Sequence, residues 1–334
     1  MKKLFLIFAI NSLVVSFAFA ESKKVTVFNF VRAETDMTLD RYFKLGAFCN
    51  FYHLRNLVPI DQQNVIRMNR DTLYSAGIFD LTKPVIIKKP DPGDRFQSML
   101  IINQDHSIFP AEHGPGDFII TEEKIGTRYV IIVFRTLAIP NDPKDIAQAN
   151  ALQDQITFEQ ADCGSFKIPN WDEKKLGKIR DAINVLAADV TDSADFFGQR
   201  DKLDPIKHLL GTAYGWGGNP KEAAMYDNFV PKQNDGLVAH TVTVKDVPVD
   251  AFWSITVYNA KGFMVKNDLN IYSYNNLTAI PNNDGSFTIN FGGNLKQLNY
   301  MPIMKGWSII IRMYRPRPEI INRTWIFPKP VPVN

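Results

Sequence analysis

The chain is predicted to be an α+β protein, mainly β, with two antiparallel β-sandwich or jelly-roll-like domains and a helical segment between them. Two observations carry this expectation. Short apolar runs punctuated by Gly, Pro, Asn and Asp fill residues 85–134 and 239–314, the spacing of strands joined by tight turns. Between them, residues 142–210 hold a proline-initiated helix start and the clearest helical stripe of the chain.

The elements follow in order. Lys2 and Lys3 precede an uncharged, mostly apolar stretch at 4–20 that closes on Ala18-Phe19-Ala20 before Glu21. This is the pattern of a secretory signal peptide cut after Ala20. The competing reading, a membrane anchor, needs about 20 apolar residues, and this stretch is shorter and ends in small residues. No cysteine follows it, which argues against a lipoprotein anchor. The mature protein is expected to be soluble and exported, most simply to a periplasm. Residues 21–165 form the expected N-terminal domain, 166–220 a helical connector and 221–334 the C-terminal β domain.

Apolar residues from Leu39 to Leu54 roughly share one face, predicting a helix over 39–57. Strand-like runs follow at 85–87, 96–102, 118–121 and 129–134. Asp142-Pro143 starts a helix. A second begins near Asp172, with Leu176, Ile179, Ile183, Leu186, Ala187 and Val190 on one side. A third spans 205–210 and is expected to stop at Gly211. Gly215-Trp216-Gly217-Gly218-Asn219-Pro220 reads as a rigid turn between halves. Strand patterns return at 239–244, 252–258, 287–291 and 307–314, as in a sandwich.

Composition excludes some functions. Loss of Lys2 and Lys3 takes the formal net charge from +3 to +1, so there is no electrostatic case for nucleic acid or an anionic membrane surface. Stable membrane insertion after cleavage is not expected, and no cofactor is implied. Cys49 and Cys163 either pair in an oxidising compartment or remain as two buried thiols.

The chemistry concentrates in Asn69-Arg70-Asp71-Thr72-Leu73-Tyr74-Ser75. Three strong hydrogen-bonding side chains in succession either line a pocket or form a buried ion-pair staple. Arg67 and Arg70 would hold Asp71 ionised. No G-x-S-x-G elbow supports a serine nucleophile, and nothing in the sequence sets a base beside Ser75. Asp105, His106, Glu112 and His113 could supply nitrogen and oxygen metal ligands, at a spacing that matches no standard motif. A polar loop rim is the simpler reading, so no metal is assigned. Trp253, Tyr258, Tyr272 and Tyr274 among Asn267, Asn270 and Asn275 suit a sugar or a flat small molecule. Alternatively, residues such as Phe252 fill the sandwich core while Trp253 caps a rim.

With the run 64–75, Arg135-Thr136, Gly215-Trp216-Gly217-Gly218, Pro248 to Ser254, Asn299, Gly306-Trp307, Arg312 and Tyr314-Arg315-Pro316, the chain resembles a bacterial tandem family. Its members carry domain of unknown function 1254 followed by domain of unknown function 1214. The resemblance covers nearly all of residues 21–334. It implies an exported protein with β-rich domains and helices between them, and brings no settled activity.

Two functions are carried forward. One is a hydrolase or lyase acting on a small anionic or glycan-type ligand, with Asp71, Arg70 and His106 as catalytic candidates. The other is a non-catalytic ligand-binding protein. Both use an interdomain pocket with Arg67, Asn69, Tyr74, Arg135, Trp253, Tyr258 and Arg312 as ligand contacts. A third reading has the Arg–Asp set only joining the halves.

Overall fold

A computed structural model describes residues 22–63, 67–187, 190 and 194–333. The expected signal segment and residues 64–66 of the stretch 64–75 lie outside the described residues. Mainly β, with a few helices and several sheets, the fold agrees with the class expected.

The first half runs α1 (Phe30–Lys44), β1 (Phe51–His53), β2 (Thr72–Asp80), β3 (Val85–Lys89), β4 (Gln97–Asn103), β5 (Gly116–Ile120), the single-turn α2 (Glu122–Ile125), β6 (Tyr129–Leu137), α3 (Pro143–Asp154), β7 (Thr157–Gln160), α4 (Glu173–Leu186) and α5 (Pro205–Gly215). Strands order β1-β2-β6-β4 in the central sheet and β5-β3-β7 in a second, all antiparallel. Residues alternate along β6. Tyr129, Ile131 and Val133 meet the helices; Val130, Ile132 and Phe134 meet Val85, Ile87 and Ile120 of the second sheet. Burial on both faces explains why β6 reads as one continuous apolar run.

Two helix expectations needed correction, each for a physical reason. The first helix spans 30–44 rather than 39–57, and Gly46 breaks away at φ 88° just past it. Its inward face is polar. Asp36 accepts from Gln104 Nε2 (2.7 Å) and Trp171 Nε1 (2.9 Å), and Glu34 pairs with Arg180, so an apolar periodicity could not find it. Helix α5 continues through Gly211 to Gly215. Gly211 serves close packing, because a Cβ there would lie 2.6 Å from the Phe196 carbonyl oxygen.

Asp80, at the end of β2, carries an acid-stability prediction. Burial alone would raise its pKa. The Arg128 guanidinium and the Ser165 and Thr82 backbone N–H groups outweigh that and bring it to about 2. A folded pKa below the unfolded value near 4 means the stabilisation is full above pH 4 and lost as pH falls through 4 to 2. Its size is about 2 kcal/mol. Urea titrations of the wild type and Asp80→Asn should differ by that amount at pH 6 and converge near pH 2. Parallel curves across that window would refute the assignment.

The second half contains β8 (Ala224–Phe229), β9 (His240–Val244), β10 (Trp253–Tyr258), β11 (Ser273–Asn275), β12 (Phe287–Phe291), β13 (Tyr300–Met301), β14 (Ser308–Tyr314), α6 (Pro318–Ile321) and β15 (Val331–Pro332). Sheets β11-β10-β14-β8 and β13-β12-β9-β15 pack face to face. Ile255, Val257, Ile309, Ile311 and Met313 of one meet Val242, Val244, Ile289 and Phe291 of the other. Period-2 alternation therefore turns Ser254, Thr256, Tyr258, Arg312 and Tyr314 the opposite way, and there they meet the first half.

Candidate functional site between the two halves

The polar run enters β2 along the inter-sandwich face. Asn69 Oδ1 accepts from the Asp71 backbone N–H (2.6 Å), which fixes the turn. Asn69 Nδ2 donates to Tyr314 Oη (2.8 Å), and Tyr258 Oη donates to the Met68 carbonyl (2.7 Å). Arg312 donates to the Arg67 carbonyl (2.9 Å), Thr256 Oγ1 (3.0 Å) and Tyr258 Oη (2.8 Å). Each half thus supplies donors and acceptors to the other.

Asp71 is wholly buried. Ser254 Oγ–H donates to its Oδ2 (2.6 Å), while Oδ1 has no hydrogen-bond partner among the described residues. Burial pushes its carboxyl pKa up, against the Arg312 charge and the neighbouring Ser254 and Asn275 side chains. This corrects the expected partnership with Arg67 and Arg70. Those two guanidiniums turn away, Arg67 onto the Tyr214 ring and Arg70 onto the Tyr272 ring.

Arg70 lines a cleft of about 420 Å³ whose other walls include Asn141, Asn270, Tyr272, Ser273, Tyr274 and Thr278. One of its donors is held by the Val58 carbonyl (2.7 Å). No described carboxylate pairs with it, and no described residue lining the cleft is acidic. Asn141 from the first half and Asn270 from the second both adopt left-handed backbone (φ 65° and 52°), and their side chains clasp across the rim. Tyr272, Tyr274 and Asn270 stood out in the sequence. Asn141 did not stand out.

Arg135 lies on the helix-facing side of β6, beneath the Tyr74 ring, and donates to Asn219 Oδ1 (3.1 Å) and the Gly217 carbonyl (2.6 Å). His106 supports the same turn. Thr212 Oγ1 donates to the His208 carbonyl, so His106 Nδ1–H is the donor to Thr212 (2.8 Å), and His106 Nε2 accepts from the Gly217 N–H (2.9 Å). Burial, then the nearby His208, holds its pKa well below the usual range. Both ring nitrogens of this neutral imidazole are engaged, which suits a positioning residue for the Gly-Trp-Gly-Gly turn.

Two other expectations change. Trp253, expected as a ligand contact, instead fills the sandwich core against Phe287 and Phe327, and Phe252 packs toward the first half on Tyr314, the reverse of the alternative that put Phe252 in the core and Trp253 at a rim. The His and carboxylate residues to which no metal was assigned are dispersed: Asp105 pairs with Arg32, His106 bonds Thr212, and His113 sits against Phe96. Among the described residues no group of three or more His, Cys, Asp and Glu could hold a metal ion. Ser75 does meet a base, His53 Nδ1 at 2.7 Å, but it is fully buried and also bonded by Gln153. Tyr226, which receives a hydrogen bond from Asn219, was missed because strand β8 was not recognised.

Comparison with known proteins adds fold and family. The chain is similar to the VPA0106 protein of Vibrio parahaemolyticus (19% identity, TM-score 0.67, covering 92% of this chain and 98% of that one). It also resembles an uncharacterised protein from Burkholderia cenocepacia (14% identity, TM-score 0.50, covering 92% and 88%). At these identities the likeness is one of fold. No curated protein matches. Residues 48–160 match the family described as Protein of unknown function (DUF1254), and residues 227–318 match Protein of unknown function (DUF1214). The chain therefore belongs to the tandem family in which a DUF1254 domain precedes a DUF1214 domain.

Proposed function

We propose that the protein is exported and binds a small anionic, sugar-like ligand in the cleft lined by Arg70. The observation that carries this is the state of Arg70 itself. Its guanidinium is mostly buried, lies 5.1 Å over the Tyr272 ring, has one donor committed to Val58 and has no described carboxylate partner. Burial lowers its pKa, a cost that an anion in the cleft would offset. Tyrosine faces with hydroxyl and amide rims suit the hydroxyl groups of a sugar ring.

Binding is favoured over turnover. The Asp71 carboxyl is sealed beneath Ser254, and His106 has no uncommitted nitrogen. Neither lines the cleft.

Thermal-shift measurements with glucuronate, galacturonate, glucose 6-phosphate and glucose test the reading. A ligand at a hundredfold excess over Kd adds about 2.7 kcal/mol of stability, so at least one charged sugar should raise the midpoint while glucose should not. Arg70→Gln should abolish the shift and leave the ligand-free midpoint within a few degrees of wild type. No shift with any charged sugar, or an undiminished shift in Arg70→Gln, would overturn the proposal.

A further inference from the structure

Three residues before Arg70, Arg67 faces a different space. It lines a cleft of about 860 Å³ on which Lys232, Lys329 and His240 also border. The Arg67 guanidinium lies 4.5 Å over the Tyr214 ring, and its backbone is left-handed at φ 56°, a conformation uncommon for a non-glycine residue. Two bonds from the second half impose it. The Arg67 N–H donates to the Gly262 carbonyl (2.7 Å), and its own carbonyl accepts from Arg312. Backbone strain held by surrounding structure is a recurrent mark of ligand sites.

Among the described residues the charge lining this cleft is all positive. Arg67, Lys232 and Lys329 have no carboxylate within ion-pair distance among the described residues, and no described lining residue is acidic. His240 Nδ1–H is spent on the Val238 carbonyl (3.0 Å), which leaves Nε2 uncommitted. The lining is more apolar than that beside Arg70: Phe229, Val230 and Pro332 border it, with Val230 still 62% exposed. Cations above an open apolar floor match a ligand with both an anionic head and an apolar chain.

We propose that this cleft is a second ligand site, independent of the Arg70 cleft, and that it takes an amphipathic anion. A carboxylate or phosphate head meets Arg67 and the two lysines, and an apolar chain lies along Phe229, Val230 and Pro332.

Isothermal titration of the purified protein with decanoate, decanol and inorganic phosphate tests this. Decanoate should bind saturably at one site, and decanol and phosphate at least tenfold more weakly. Arg67→Gln should weaken decanoate at least tenfold. Lys329→Gln, at an exposed side chain with no described partner, should weaken it several-fold with folding intact. Arg70→Gln should leave it unchanged, which separates this site from the sugar cleft. Unsaturable decanoate binding, equal affinity in both cleft variants, or phosphate binding as tightly as decanoate would overturn the proposal.

Discussion

Replacing Arg312 with Leu is expected to cost about 3–5 kcal/mol of folding stability, because it removes the charge nearest a buried carboxyl and leaves three buried acceptors without their donor. Arg312 is 4% exposed and ties three groups together: the Arg67 carbonyl, Thr256 and Tyr258. Its charge also opposes the burial penalty on Asp71. Leucine would strand a buried carboxyl already short of one partner and free the chain entering β2. Lysine would keep the charge but not the planar fork, so Arg312→Lys should recover only part of the loss. Asp71→Asn tests the coupling. Alone it should be destabilising, because the amide removes the charge that faces Arg312 and sets a buried NH2 where no acceptor is described. Combined with Arg312→Leu its added cost should shrink, since the stranded carboxyl is gone. Urea unfolding followed by circular dichroism reads all four proteins. A loss below 1 kcal/mol for Arg312→Leu, or strict additivity with Asp71→Asn, would show that the two groups act separately.

That experiment bears on the choice the polar run posed between pocket and staple. The structure divides the run between the two. Asn69, Asp71 and the Arg67 backbone are spent on bonds to the second half, whereas the Arg67 and Arg70 guanidiniums are left to clefts. Sequence could find the run but not the division, because spacing along a chain does not say which side chain meets a partner more than 180 residues away.

Other parts of the fold divide in the same physical way. Strands such as β6, buried on both faces, were legible as apolar runs. Strand β2 was hidden by the polar residues that lead into it, and β8 by Tyr226, Asp227 and Asn228, which interrupt its apolar pattern. α1 was misplaced because its buried face carries Glu34, Thr35, Asp36 and Thr38. Trp253 and Phe252 exchanged roles because a one-residue error of phase reverses every side chain of a strand. In the cleft lined by Arg70, Tyr272, Tyr274 and Asn270 were visible as a polar-aromatic cluster. Asn141 was not, since it arrives from 129 residues away.

Removing the disulfide is the second large effect expected. Cys49 follows α1, Cys163 follows β7, and the bridge between them spans a sequence separation of 114 with Cα atoms 5.6 Å apart. Constraining a loop of that length in the unfolded chain is worth about 5 kcal/mol in the chain-entropy model. The folded state is built to accept the bridge. The Cys49 N–H donates to the Ile78 carbonyl (2.8 Å), and Gly164, at φ 63°, leaves room for Asp80, whose Oδ2 would lie 2.3 Å from any Cβ there. Asp80 in turn receives Ser165 and Arg128, so the chain around Cys163 is fixed by more than sulfur. Cys49→Ser/Cys163→Ser should therefore fold to the same structure but unfold at a much lower urea concentration. Dithiothreitol should bring the wild type to the same midpoint and leave the double variant unmoved. If the double variant loses less than about 1 kcal/mol, the reduced unfolded chain is already compact enough that the bridge constrains little. The same comparison tests export. A bridge of this value forms where thiols are oxidised, so protein recovered from a periplasm should have the higher midpoint. Protein made without residues 1–20 in a reducing cytoplasm should match the double serine variant until it is oxidised.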